Sequence, residues 1–279
     1  MKKNFLFILT FTFGILFSQT HRFVYELKYK SDSLQPNYDT VEMILDVNPN
    51  EIKFYDFGFA EKDSLNILHN TSNNQHFSRT SQIIKRETNS SKNKNFKQIL
   101  LSPFNYYVYD TEDPIQWNIQ SETNKLGNLN IQKATTEFGG RKWTAWFTKE
   151  IPFPEGPYKF RGLPGLIVLL EDSNKNFIYT FSRNYNLNKT YITENFLENR
   201  YNLKAIPITE KQWQKINLDY YNDPFATLRN NYQPGWEIEI QGKKIKSKED
   251  FKELTVKTQK EIKQNNNPIE LNTAIKYPK

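Results

Sequence analysis

Between His21 and about Asn186, apolar and polar residues alternate along one short segment after another, and polar turn clusters separate the segments. Alternation of period two sends successive side chains to opposite faces of an extended chain, so it predicts strands. The segments are FVYELKYK (Phe23 to Lys30), TVEMILDV (Thr40 to Val47), EIKFYDF (Glu51 to Phe57), FKQILL (Phe96 to Leu101), NYYVYDT (Asn105 to Thr111) and IQWNI (Ile115 to Ile119). NIQKATTEF, RKWTAWF, LIVLL and FIYTFSR continue the series, while Thr88 to Asn95 reads as a loop. Many sequential strands with short turns favour antiparallel pairing. The expected fold is therefore mainly β, of the α+β class. It would be a curved antiparallel sheet, half-barrel or sandwich-like, with C-terminal helices packed on it.

One hairpin follows in detail. Gly139-Gly140 separates TEF from RKW as a two-residue loop, and glycine accepts the positive φ that such loops need. That register sets Glu137 opposite Lys142, Thr135 opposite Thr144, Thr136 opposite Trp143 and Ala134 opposite Ala145. One face then carries Phe138, Trp143, Ala145 and Phe147, and the other an ion pair and a threonine pair. Trp146 falls on the polar face beside Lys133. The indole either stacks on the lysine stem or offers a ligand surface.

The stretch FRGLPGLIVLL (Phe160 to Leu170) gathers two glycines and a proline ahead of an apolar run. Proline second and glycine third in Leu163-Pro164-Gly165-Leu166 is the composition of a type II turn. Gly162 loosens the approach. Leu166 to Leu170, Ile167 included, does not alternate, so both sides of that strand are expected to be covered. A phosphate-cradling loop would carry more glycines, a terminal lysine or serine, and a following helix.

After about Tyr191 the period becomes helical. Thr209 and Gln212 fit a capping box, Trp213, Ile216 and Tyr220 follow at helical spacing, and Pro224 marks the stop. Ser247 offers a second cap before Phe251, Leu254, Thr255 and Ile262. Such stripes dock on a sheet. The expected organisation is a signal peptide over 1–18, an antiparallel β domain over 19–190, and a mostly helical extension over 191–279 on the same core.

The signal peptide rests on Lys2 and Lys3 followed by the apolar run Phe5 to Phe17, too short to span a bilayer comfortably, with Ser18 before the expected cut. No second run reaches spanning length, so no transmembrane segment is expected after its removal. The chain has no cysteine, which leaves out disulfides, thiolate metal sites, a cysteine nucleophile and a lipidated cysteine. An exported chain without disulfides relies on its core, and aromatics at 15% supply much of the apolar area. The formal charge of +7 is spread without a basic block, and with export it argues against nucleic acid as partner.

The titratable residues give only thin candidates for chemistry. The histidines are His21, His69 and His76. His69 and His76 could join Asp56 or Asp63 around a metal, or be two loop histidines. Glu171-Asp172 and the group Asp110, Glu112 and Asp113 read either as acid–base carboxylates or as turn residues. Neither a G-x-S-x-G elbow nor an H-E-x-x-H helix occurs in the sequence. Ser33, Thr40 and Ser64 each follow an aspartate and precede Leu or Val, the form of a short O-glycosylation acceptor. No cofactor and no catalytic residue is assigned.

Gly162-Leu163-Pro164-Gly165-Leu166-Ile167, within Gln132 to Asp172, resembles the signature block of the GLPGLI family, exported proteins common in Bacteroidota. The likeness extends from Phe23 to about Asn186. It implies an envelope protein, periplasmic, outer-membrane associated or secreted, with no established activity to carry over. The leading expectation is thus a non-catalytic binding or accessory protein for an apolar ligand or an envelope protein partner. A carboxylate-dependent hydrolase and a metal-handling protein are the alternatives.

Overall fold

The structure, a computed structural model, describes residues 19–72, 75–99, 106–200 and 203–278. The expected signal peptide lies outside the described residues, as do Leu100, Leu101 and Asn105 of the expected strands.

The alternating segments pair into one open sheet built from two meanders. The first runs through β1 (Thr20–Tyr29), β2 (Asp39–Val47), β3 (Glu51–Asp56), then α1 (Phe57–His69), β4 (Ile83–Glu87), β5 (Lys92–Gln98) and β6 (Tyr106–Glu112). The second comprises β7 (Asn118–Leu126), β8 (Leu129–Phe138), β9 (Arg141–Thr148), β10 (Leu166–Asp172) and β11 (Phe177–Leu187). Antiparallel pairing of β1 with β11, from Thr20↔Leu187 to Tyr29↔Phe177, stitches the two together.

Three short strands follow, β12 (Asn199–Arg200), β13 (Leu203–Lys204) and β14 (Ile206–Pro207). The last pairs parallel with β6. The resulting order is β14-β6-β5-β4-β3-β2-β1-β11-β10-β9-β8-β7, twelve strands with β14 and β7 as unpaired edges. This corrects the expected curved half-barrel or sandwich. The fold is mixed α+β, and twelve of its strands form one large sheet that does not close on itself, while β12 with β13 and a later hairpin form two small ribbons outside it. What takes the place of a second large sheet is irregular chain over one face and helical chain over the other.

Each face has its own cover. Phe23, Tyr25 and Leu27 of β1, Met43 and Leu45 of β2, Phe54 of β3, and Trp143, Ala145 and Phe147 of β9 share one core. The crossing segment 149–165 lies on it and inserts Tyr158, Phe160 and Leu163. Phe160 stands 4.7 Å from Trp143 between ring centroids. Burying side chains of this size contributes roughly 1.5–3 kcal/mol each. The opposite face holds Ile44, Tyr55, Ile83, Phe96 and Tyr106, covered by Phe59 and Ala60 of α1 and by Leu197 of a short π-helical turn.

The loop ahead of β10 is a bend, though not the expected turn. Gly165 N–H donates to the Leu163 carbonyl at 2.8 Å, and Leu166 N–H goes instead to Ile151 at 3.0 Å. The chain therefore reverses through a three-residue γ-type turn on Pro164 rather than a type II turn. Glycine is needed at 165 on two counts. Its φ is +142°, and an added Cβ would lie 2.0 Å from the Thr148 carbonyl oxygen. Leu166, Ile167, Val168 and Leu170 are all inaccessible, so this strand is covered on both sides. Val168 sits at a bulge against β9.

Toward the C-terminus, α2 (Glu210–Asn222) begins at a capping box formed by Thr209 and Gln212. It is followed by α3 (Ala226–Asn231), the hairpin β15 (Ile238–Ile240) and β16 (Lys243–Ile245), and α4 (Asp250–Gln264). Phe251 and Leu254 of α4 meet Phe225, Tyr232 and Ile245 in a satellite cluster apart from the two sheet cores. The α4 stripe therefore does not dock on the sheet as expected. The chain after α4 does, sending Ile269 into the first core. No helix among the described residues is long and apolar enough to cross a membrane.

Candidate functional site

The return segment after α4 creates the best-built cleft. It is anchored by Arg141, the first residue after the Gly139-Gly140 turn. The Arg141 guanidinium donates to the carbonyls of Ile269 and Pro268 at 3.0 and 2.7 Å, to Asn267 Oδ1 at 2.6 Å, and to Asp172 at 3.1 Å. Asn267 in turn donates to the Lys30 carbonyl at 2.7 Å. The two glycines have φ of +61° and +77°, and the segment lies directly on them. A Cβ at 139 would fall 2.9 Å from Glu270 Cγ, and one at 140 would fall 3.2 Å from Asn272 N. This turn is thus both a hairpin loop and a landing place.

Glu270 carries the second anchor. Its Oε1 accepts from Tyr158 Oη at 2.5 Å and from Lys159 Nζ at 2.8 Å, and the same ammonium reaches Asp113 at 3.1 Å. Burial, together with Glu270, pushes the Tyr158 hydroxyl well above its ordinary range, so it remains a donor. Tyr158 adopts φ +56°, a conformation rare for a side-chain-bearing residue, and its hydroxyl bond to Glu270 helps to hold it there.

Between this segment, the N-terminal half of α2 and the sheet lies a cleft of about 340 Å³. Gln82, Lys97 and Tyr109 come from the sheet side, Trp213 and Asn217 from α2, and Glu270 from the return segment. Lys97, on β5, is 7% exposed. Its ammonium donates to the Ser81 carbonyl at 2.7 Å and stands 6.0 Å from the Tyr109 ring centroid. Desolvation is the main cause that brings its amine down from 10.5 to about 8. Nothing in the alternation of FKQILL marks this lysine, because the apolar Phe96 beside it sets the phase. The strand is buried on both faces, which is the signal that was missing.

A larger groove of about 560 Å³ opens on the opposite face, over Lys53, Lys85, Phe96 and Val108. Its two central cations, Lys53 and Lys85, are already paired. Glu51 takes Lys53 at 2.6 Å and Lys85 at 2.7 Å, and Glu198 takes Lys85 at 2.7 Å. Burial works to raise the Glu51 carboxyl, but these two ammonium groups hold it below its ordinary range.

The residues singled out in the sequence fall in several places. Gly162, Leu163, Pro164, Gly165, Leu166 and Ile167 form the bend already described, and Gly165 lies at backbone rather than at a cleft. Glu137↔Lys142, Thr135↔Thr144 and Thr136↔Trp143 pair across the β8–β9 hairpin. Lys133 Nζ lies 5.8 Å from the Trp146 ring centroid and pairs with Glu122 at 2.8 Å. His76 Nε2 is 2.9 Å from Asp56, which caps α1 through Gly58 N–H. His69 is exposed at the far end of that helix. Asp63 accepts from Tyr191 at 2.8 Å. No group of three or more metal-ligating side chains converges among the described residues.

Asp172 is taken by Arg141 and by Phe177 N–H, and Asp110 faces Lys94 at 3.5 Å. Of the acidic candidates, only Asp113 is drawn toward the cleft, behind Glu270. Ser33, Thr40 and Ser64 are exposed, and Ser64 Oγ donates to the Ala60 carbonyl at 2.8 Å.

Comparison with known proteins adds the following. A family model described as a protein of unknown function (Porph_ging) matches residues 139–169. This corrects the expected GLPGLI assignment. The matching model is a different one and reaches only from the landing turn through the crossing segment into β10, instead of from Phe23 to Asn186. No curated protein matches. Two solved structures share the fold, PNGF-II in the C2 and in the P21 space group. Each gives a TM-score of 0.50 at 12% identity over 71% of this chain, covering 32% and 33% of those chains. This chain therefore spans about a third of the length of PNGF-II, and the likeness is one of fold.

Proposed function

We propose that the chain is an exported, non-catalytic binding protein, and that its ligand occupies the cleft beneath the return segment. Lys2, Lys3 and the run Phe5 to Phe17 support export. The observation that carries the binding reading is convergence. Polar groups from the sheet, α2 and the return segment meet around a space of about 340 Å³, within the size range of small-molecule sites. The lining mixes amides, hydroxyls and charges with the rings of Tyr109 and Trp213, so a small polar ligand fits it better than the expected apolar one.

One observation favours a hydrolase, namely that Asp113 and Glu270 approach each other. Both, however, rest on the Lys159 ammonium, which occupies the place a substrate would need.

The test is native mass spectrometry of the full chain purified from a bacterial extract, beside Gln214→Trp, which fills the cleft from α2. The wild type is expected to retain a small molecule that the variant loses. Bare mass for both proteins, or equal retention by both, would contradict the reading.

A further inference from the structure

We infer that the cleft holds its ligand by an anionic group, a carboxylate or a phosphate, seated on the Lys97 ammonium. The inference rests on the binding reading above and names the chemistry of that site. Lys97 is buried to all but 7%, yet among the described residues its ammonium meets one hydrogen-bond acceptor, the Ser81 carbonyl, and the face of the Tyr109 ring at 6.0 Å. Among the described residues no carboxylate oxygen lies within 4.0 Å of Lys97 Nζ. A buried cation without a counter-ion is costly, and a charge-assisted partner relieves it.

The neighbouring charges do not supply that partner. Glu270 is committed to Tyr158 and Lys159. Glu210 stands in the first turn of α2, where the helix N-terminus already favours its charge. Asp113 lies behind, on Lys159. Arg79 adds a second cation to the cleft wall. A neutral ligand would leave Lys97 as it is, and a cationic one would be repelled by it and by Arg79. Burial favours the neutral amine of Lys97, and this is the larger influence against which Glu270, Glu210 and Asp113 act only at a distance.

The experiment is a titration of the full chain with inorganic phosphate and, separately, acetate, at matched ionic strength and pH 7. It is followed by the amide resonances of Gln82, Lys97, Tyr109 and Trp213, in the wild type, Lys97→Met and Lys97→Arg. At least one anion is expected to shift these resonances saturably in the wild type. Lys97→Met is expected to weaken that binding at least tenfold, and Lys97→Arg to keep part of it. Saturation by phosphate alone assigns a phosphorylated ligand, and by acetate alone a carboxylate.

No saturable shift with either anion, or equal affinity in Lys97→Met, overturns the inference. Mass spectrometry separates the two readings. If the wild type and Lys97→Met retain the same co-purified molecule equally, the cleft reading stands and the anion inference falls. If neither retains one and no anion binds, both fall. Amide resonances outside the cleft that match the wild type in Lys97→Met are the check that lost binding does not reflect unfolding.

Discussion

Gly165 shows how much a single position can be constrained. Its φ of +142° is open to few side chains, and the Thr148 carbonyl occupies the space of a Cβ. Gly165→Ala must therefore move backbone in the bend between the crossing segment and β10. Strain of this kind costs about 1–3 kcal/mol before the clash is counted. We expect Gly165→Ala to lose at least ~3 kcal/mol in urea melts, whereas Gly162→Ala, at φ +92° but with open space around it, loses less. Equal stabilities for the two variants would mean that the close approach to Thr148 is not maintained.

At the scale of elements, the sequence was readable where a turn fixed the phase. Gly139-Gly140 fixes the β8–β9 register, and Thr209 with Gln212 fixes the start of α2. It was unreadable where both faces of a strand are buried. Ile83 and Ile84 of β4 enter opposite cores, so alternation vanishes and the sequence carries no strand signal there. β7 starts later than the expected IQWNI segment, because as an exposed edge strand it carries the polar NIQSETNKL. α1 was hidden because its cap, Asp56, also ends β3. The return segment had no local signal at all. Its position depends on Arg141, more than a hundred residues upstream.

Removing Arg141 should therefore act on that element first. Arg141→Ala leaves Asp172 buried without its partner, a loss of about 3–5 kcal/mol. Amide exchange at residues 267–273 is expected to rise well above the change seen in β1 to β3. A uniform rise across the chain, or none at 267–273, would show that the guanidinium does not hold the segment.

For the molecule as a whole, two meanders joined at β1–β11 give an open sheet, with irregular chain over one face and α1 with a π-helical turn over the other. Irregular covers leave polar gaps that a second sheet would seal, and the Lys97 cleft is one of them. The fold keeps an ammonium there at a cost. An amine held at about 8 in place of 10.5 destabilises the native state by ~3 kcal/mol while both states are protonated. Between those two values the unfolded chain binds more protons, so this contribution makes stability rise with pH, and above 10.5 the penalty is gone.

The direct measurement is the unfolding free energy of the wild type and Lys97→Met from pH 6 to 11. After loss of the Ser81 bond, the variant should be more stable by ~2 kcal/mol below pH 8, about 5 °C in Tm. That advantage should vanish as the pH rises past 10.5. A variant no more stable than the wild type at pH 7, with a difference that does not change with pH, would mean that Lys97 is solvated or paired and that the cleft has no cation waiting for a ligand.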